Sequence, residues 1–126
     1  MKLANKQIYD ISKKLLESFN DNTKYFPAKV NFTIQRNKKN LLDIVETIEK
    51  VRLAIAAQYG SRDPENPDVF NIAPENMDIA QRELDDLTNT EQEVNITMLS
   101  LKDIENVEFT SNQMDAILFM IDEQAE

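Results

Sequence analysis

Ile34, Leu41, Ile48 and Ile55 stand seven residues apart, and Val30, Asn37, Ile44 and Val51 repeat the same interval. Apolar residues at that spacing lie on one face of a helix. The register runs through "VNFTI" (30–34), whose β-branched and aromatic residues read locally as a strand. Because context overrides β-propensity, the repeat predicts one helix from about Ala28 to Tyr59, with Asn37 as the single polar break. A strand over 30–34 followed by a helix is the alternative. Pro27 suits the helix start, where a missing N–H costs nothing, and Gly60 is a natural stop. Such a helix would span about 48 Å, whereas a globule of this chain length has a radius of gyration of about 14 Å. It must therefore pack against the first helix as a hairpin, protrude, or be covered by a partner. The polar run "QRNKKN" (35–40) is where it would kink or stand in solvent.

Ahead of it, Ile8, Ile11, Leu15 and Phe19 predict an amphipathic helix over residues 3–20. After it, "SRDPENPDVF" (61–70) is a loop, and "VFNI" is a candidate short strand. "PENMDIAQRELDDL" (74–87) reads as a helix with Met77, Ala80, Leu84 and Leu87 on its apolar side. In "EVNITMLSL" the apolar Val94, Ile96 and Met98 alternate with polar residues, the pattern of a half-buried strand. Its expected neighbour is residues 69–72 or 107–109. "SLKD" (100–103) looks like a capped helical turn, and Thr110 with Gln113 forms a capping box for a last helix. In that helix Met114, Ile117, Leu118 and Ile121 share a face, with Phe119 and Met120 off it. The fold class expected is α+β and mostly helical, as a single domain over 1–126. A long N-terminal helical hairpin occupies a basic half (1–60), and a small antiparallel sheet with two or three helices occupies an acidic half (61–126).

Charge separates the halves. Residues 1–60 carry 11 Lys and Arg against 6 Asp and Glu, net +5, and residues 61–126 carry 3 against 17, net −14, which together make the −9 of the chain. Such polarity steers association with a basic partner or draws the two halves together. With no histidine and no cysteine, thiol and imidazole chemistry is excluded, as are thiolate or imidazole metal sites. Carboxylates alone are a weak basis for catalysis, so the chain is read as not an enzyme, with no cofactor. The stretch "DPENPDVFN" resembles a cation loop only loosely, lacking the central glycine of an EF-hand, and reads as a polar turn. A single glycine rules out a glycine-rich phosphate loop. Arg36, Lys38 and Lys39 are a small basic cluster in a chain of pI about 4.5, read as a solvated face and not as a direct nucleic-acid contact. No apolar run is long enough to cross a bilayer, and no membrane is expected. The candidates for partner binding are the acidic runs, through Glu83, Asp85, Asp86, Glu91 and Glu93, and the apolar pair Phe119 and Met120. An acidic helical surface can imitate nucleic acid. It also serves solubility.

"MKLANKQIYDIS", "FPAKVNFTIQRNKKNL" leading to "AAQYG", and "NTEQEVNITMLSLKDIENVEFTSNQMDAILFMIDE" together resemble an uncharacterised family of short acidic proteins encoded by phages and prophages of Gram-positive bacteria. The resemblance runs in order over nearly the whole chain, to a final helix from Thr110 through Ala116 to Phe119, Met120 and Ile121. It implies a viral source and an accessory or virion-associated role, and no catalytic residues. With the acidic half, the expected function is a non-enzymatic accessory protein that binds a host or phage protein, inhibiting a host factor for nucleic-acid handling or defence. The alternative is a structural or assembly protein, a tail component or its chaperone, for which a homo-oligomer is natural. The expected location is the cytoplasm of the bacterial host, or the phage particle in the alternative.

Overall fold

A computed structural model describes residues 1–19 and 26–124. The long repeat folds as one α-helix. Strand β1 (Lys2–Ala4) leads into helix α1 (Asn5–Ser18), and α2 runs from Ala28 to Tyr59 without interruption. Residues 30–34 are therefore helical, as the register predicts. Val30, Ile34, Leu41, Ile48 and Ile55 are buried along α2, and α1 packs beside it. The N-terminal residues differ from expectation: Lys2–Ala4 is a strand, and the helix starts only at Asn5, where the Gln7 side chain accepts a hydrogen bond from the Ala4 N–H at 2.8 Å.

Beyond α2 come β2 (Gly60–Arg62), β3 (Phe70–Ile72), a 3-10 turn (Pro74–Asn76), α3 (Met77–Asn89) and β4 (Glu91–Glu93). Next are β5 (Leu99–Ser100), the single turn α4 (Leu101–Ile104), α5 (Ser111–Ile117), a second 3-10 turn (Leu118–Met120) and β6 (Ile121–Asp122). The fold is α+β and mostly helical, with three helices among the described residues of the acidic half. Both expected caps form: Ser100 accepts from the Asp103 N–H, and Thr110 accepts from the Gln113 N–H.

Strand pairing departs from the sequence reading. Among the described residues there are three separate two-stranded ladders and no single sheet. β1 pairs antiparallel with β4, β2 pairs antiparallel with β3, and β5 pairs parallel with β6. The stretch 94–98, the strongest strand signal, makes no ladder, and neither 69–72 nor 107–109 is its neighbour. Val94 bonds to Met1, donating its N–H to the Met1 carbonyl at 2.8 Å and accepting from the Met1 amino group at 3.0 Å, and Asn95 and Thr97 bond to α2. Asn37 Nδ2 donates to the Thr97 carbonyl at 2.8 Å, and Asn37 Oδ1 accepts from the Thr97 N–H at 2.8 Å. This pair reproduces the two bonds of a ladder rung with one side-chain amide. Asn40 Nδ2 adds a bond to the Asn95 carbonyl at 3.0 Å. Residues 107–109 likewise make no ladder. Phe109 packs instead against Phe26 and Phe19, with centroids 5.1 and 6.5 Å away.

The last helix also differs. It ends at Ile117 and tightens into the 3-10 turn. In that geometry residues three apart eclipse, so Met120 falls over Ile117 and both are fully buried, while Leu118 stays 53% exposed. The α-helical spacing placed Leu118 inside and Met120 outside, which the structure reverses. The principal core joins α1, α2 and residues 94–120 through Leu15, Ile34, Leu41, Leu99, Ile117 and Met120, so both halves of the chain fill it.

Gly60 ends α2 in extended geometry, with φ −147 and ψ −167, not in a left-handed cap. Its lack of a side chain matters for another reason. A Cβ there would run into the Asn71 carbonyl oxygen and come within 2.8 Å of Ile72 Cδ1 across the β2–β3 ladder. The Asn71 backbone is fixed by pairing, so Gly60→Ala is expected to cost about 1–3 kcal/mol, read by denaturant unfolding, with faster hydrogen exchange in β2 and β3. Asn37→Leu keeps nearly the same side-chain shape but leaves the Thr97 N–H and carbonyl without partners. A loss of about 1–3 kcal/mol is expected, with faster exchange at the Thr97 amide, whereas Asn40→Ala, whose bond is exposed, costs less.

Candidate functional site

The outward face of α3 carries a cluster of free charge in the acidic half. Helix α3 turns Ala80 and Leu84 toward α2, where they line a hollow with Ile55 and Ala56. At 100° per residue the opposite side presents Asp78, Arg82, Asp85 and Asp86, all exposed. None of these four forms an ion pair among the described residues. Asp85 accepts only a hydrogen bond from Gln81 Nε2, at 2.9 Å.

The other expected site residues are differently placed. Glu83 is turned toward the end of α2, where it accepts from the Tyr59 hydroxyl at 3.0 Å; that bond raises the Tyr59 pKa. Glu91 and Glu93 lie on β4 beside β1. Glu91 meets Lys2 at 3.4 Å and Glu93 meets the Met1 amino group at 3.3 Å, so part of their charge is neutralised within the chain. Phe119 is half-buried against the core, and Met120 is fully buried with its sulfur 3.4 Å from Asn37 Nδ2. The expectation that Met120 faces outward is thus corrected: it fills the core. Of the seven residues, the structure leaves Asp85 and Asp86 together on one open face. Asp78, which the sequence reading passed over, joins them. Its signal was available as a carboxylate seven residues before Asp85, two helical turns along the same side.

The basic half supplies partners elsewhere. Lys14 meets Asp115 at 3.2 Å and Lys29 meets Asp103 at 2.8 Å, so with the two β1–β4 pairs four ion pairs among the described residues join the halves. The bond from Lys29, followed by those from Ser100, lowers the Asp103 carboxyl to about 2. The loop between β2 and β3 is closed on itself. Asp63 Oδ1 accepts from the Glu65 N–H at 2.9 Å, Asn66 Oδ1 from the Asp68 N–H at 3.3 Å, and Arg62 lies 4.9 Å over the Phe70 ring. That is the polar turn the sequence suggested. Among the described residues no three His, Cys, Asp or Glu side chains stand close enough to hold a metal ion, and no helix is long and apolar enough to cross a membrane.

No family model, curated protein or solved structure matches the chain.

One cluster has the makings of acid–base chemistry: Tyr9 on α1 donates to Glu49 on α2, and Glu49 accepts from Arg52 Nε and Nη2 at 3.0 and 2.8 Å. The pKa directions are those of a clamp. Burial, reinforced by Glu49, pushes the Tyr9 phenol up to about 12, while Arg52 and then Tyr9 hold Glu49 below the usual carboxylate range. Both groups move away from neutral pH, the opposite of what an efficient general acid or base needs. A hollow of about 520 Å³ at the α2–β2 turn offers no better set, since Tyr59 is the single titratable residue lining it.

The Tyr9 shift has a measurable sign. The folded state holds its phenol proton more tightly than the unfolded state, whose pKa is near 10.0. The contribution is complete below that value and is lost as pH rises through about 12. Stability measured by urea unfolding is therefore expected to fall more steeply over this alkaline range in the parent chain than in Tyr9→Phe. Parallel curves would show that Tyr9 titrates as it does in the unfolded chain.

Proposed function

We propose that this protein is a non-catalytic binding protein whose outward α3 face engages a basic surface on a protein partner. The observation that supports the reading most is the position of Asp78, Asp85 and Asp86. They share one rigid helical face, exposed and without ion pairs among the described residues, while Glu83, Glu91, Glu93, Asp103 and Asp115 are engaged within the chain. Carboxylates carried on a helix at fixed separations can take the place of phosphates in a basic groove. With the resemblance to phage-encoded proteins, the proposed role is an accessory protein of a phage that inhibits a host protein handling nucleic acid or serving defence, in the host cytoplasm. A structural or assembly role in the phage particle is the second reading. In its favour is the apolar surface left open at both ends of α2, where Phe32 is 66% and Leu53 40% exposed.

Immobilised protein, incubated with lysate of a Gram-positive host, is expected to retain a specific protein at about 0.05 M salt and to release it progressively toward about 0.5 M, since screening shortens the reach of exposed charges. Asp78→Lys combined with Asp85→Lys reverses the face without touching the core and is expected to abolish retention. Binding that is flat in salt, or unchanged by the double substitution, would sink the electrostatic reading. Co-purification of phage particle components in place of a host protein would move the role to assembly.

A further inference from the structure

Phe32 is the most exposed large apolar side chain among the described residues, at 66%. It projects from α2 on the side away from the buried stripe of Val30, Ile34 and Leu41. Arg36 and Lys39 flank it along a shallow depression that also includes Gln35 and Asn40. Lys39 meets Asp43 at 3.1 Å, whereas Arg36 has no ion pair among the described residues. The result is an aromatic knob beside a free guanidinium.

At the other end of α2 a hollow of about 180 Å³ opens between α2, β3 and α3. Its walls are mostly apolar, including Leu53, Ile55, Ala56, Phe70, Ile72 and Leu84, and Asp68 stands at its edge. The neighbouring loop residue Glu65 is also exposed and acidic. Arg52 lines the hollow too, but its guanidinium is already engaged by Glu49 at 2.8 Å. A dry cavity of about 150 Å³ lined by such side chains takes a benzene ring, so the volume suits a phenyl group.

We propose that this hollow receives Phe32 of a second copy of the chain, with Arg36 of that copy meeting Asp68 at the rim. Charge selects the pairing. A two-fold contact, Phe32 against Phe32, would set Arg36 and Lys39 against their own copies, and like charges in contact oppose binding. Knob against hollow sets a cation against an acidic rim. Within one molecule the two surfaces cannot meet, because some 21–24 residues of continuous helix hold them about 32–36 Å apart. A contact between different surfaces of identical chains leaves a free knob at one end and a free hollow at the other. It repeats, and builds a ring or a filament. The outward carboxylates of α3 lie on the far side of that helix and take no part. Loss of self-association and loss of partner capture are therefore separate results.

Light scattering on the full chain tests the contact. At about 0.05 M salt the mass of the parent chain is expected to rise above the monomer as concentration rises, and to return to the monomer near 0.5 M as screening weakens the rim pair. Phe32→Ala removes the knob and Ala56→Phe fills the hollow; each alone is expected to remain monomeric. Mixed together they keep one intact knob and one intact hollow, and are expected to form a one-to-one pair and nothing larger. Arg36→Glu is expected to weaken association, and Arg36→Glu with Asp68→Arg in the same chain to restore it. Neither of these charge variants nor Phe32→Ala disturbs a buried residue, so they remain informative if Ala56→Phe destabilises the fold. A parent chain that stays monomeric throughout, or a Phe32→Ala chain that associates as the parent does, overturns the proposal.

Discussion

The amide of Asn37 holds together three parts of the chain that are far apart in sequence. It stands fully buried within the apolar stripe of α2, where a hydrophobic residue would normally sit. Both its donor and its acceptor serve Thr97, and Met120 sulfur lies against the same nitrogen. A buried amide is tolerated when its partners are met, and expensive when they are not. Here the cost falls on every arrangement in which residues 94–99 lie anywhere else. The extended segment is thereby fixed in register on a helix, with Val94 and Leu99 directed into the core. Leu99 then pairs with Ile121, and the 3-10 turn above it buries Met120.

The charge difference between the halves is partly consumed in joining them. Among the described residues four ion pairs cross from the basic to the acidic half, and in three of them both groups are substantially exposed or terminal, so each adds little to stability. Their larger effect is on what is left over. They engage Glu91, Glu93, Asp103 and Asp115 and leave the carboxylates of the outward α3 face open. The long helix separates that face from the basic depression around Phe32. The molecule is therefore electrically polar along its length, an arrangement that favours oriented encounters over random ones.

The elements of the fold that depend on local spacing were legible in the sequence. The heptad from Ile34 to Ile55 settles the long helix against the strand propensity of Val30, Phe32 and Ile34, because burial of a continuous face outweighs local preference. The capping boxes at Ser100 and Thr110 could likewise be read from residues three apart. Partners distant in sequence could not. The alternation of Val94, Ile96 and Met98 correctly signals an extended segment, but a period of two says nothing about what supplies its hydrogen bonds. The one clue was Asn37, which looked like a flaw in the stripe. Met120 was misplaced because a change of pitch from 3.6 to 3.0 residues per turn leaves no mark in the pattern of apolar residues. In the candidate site, Asp85 and Asp86 were visible as an acidic run. The neutralisation of Glu91 and Glu93 depended on a strand, β1, that the sequence presented as the start of a helix.

The interleaving of the two halves bears on how the chain reaches this state during synthesis. Ile34 and Leu41 are sealed by Leu99, Ile117 and Met120, which leave the ribosome some 60–90 residues later. At about 5–20 residues per second, that interval is roughly 3–18 s. α3, β2 and β3 arrive first and cover the far end of α2 around Ile55, but around Ile34 and Leu41 the nascent helix pair keeps one greasy side. A protein built this way is at its most vulnerable to proteases and its own kind before it is complete, and the late arrival of residues 99–120 ends the exposure.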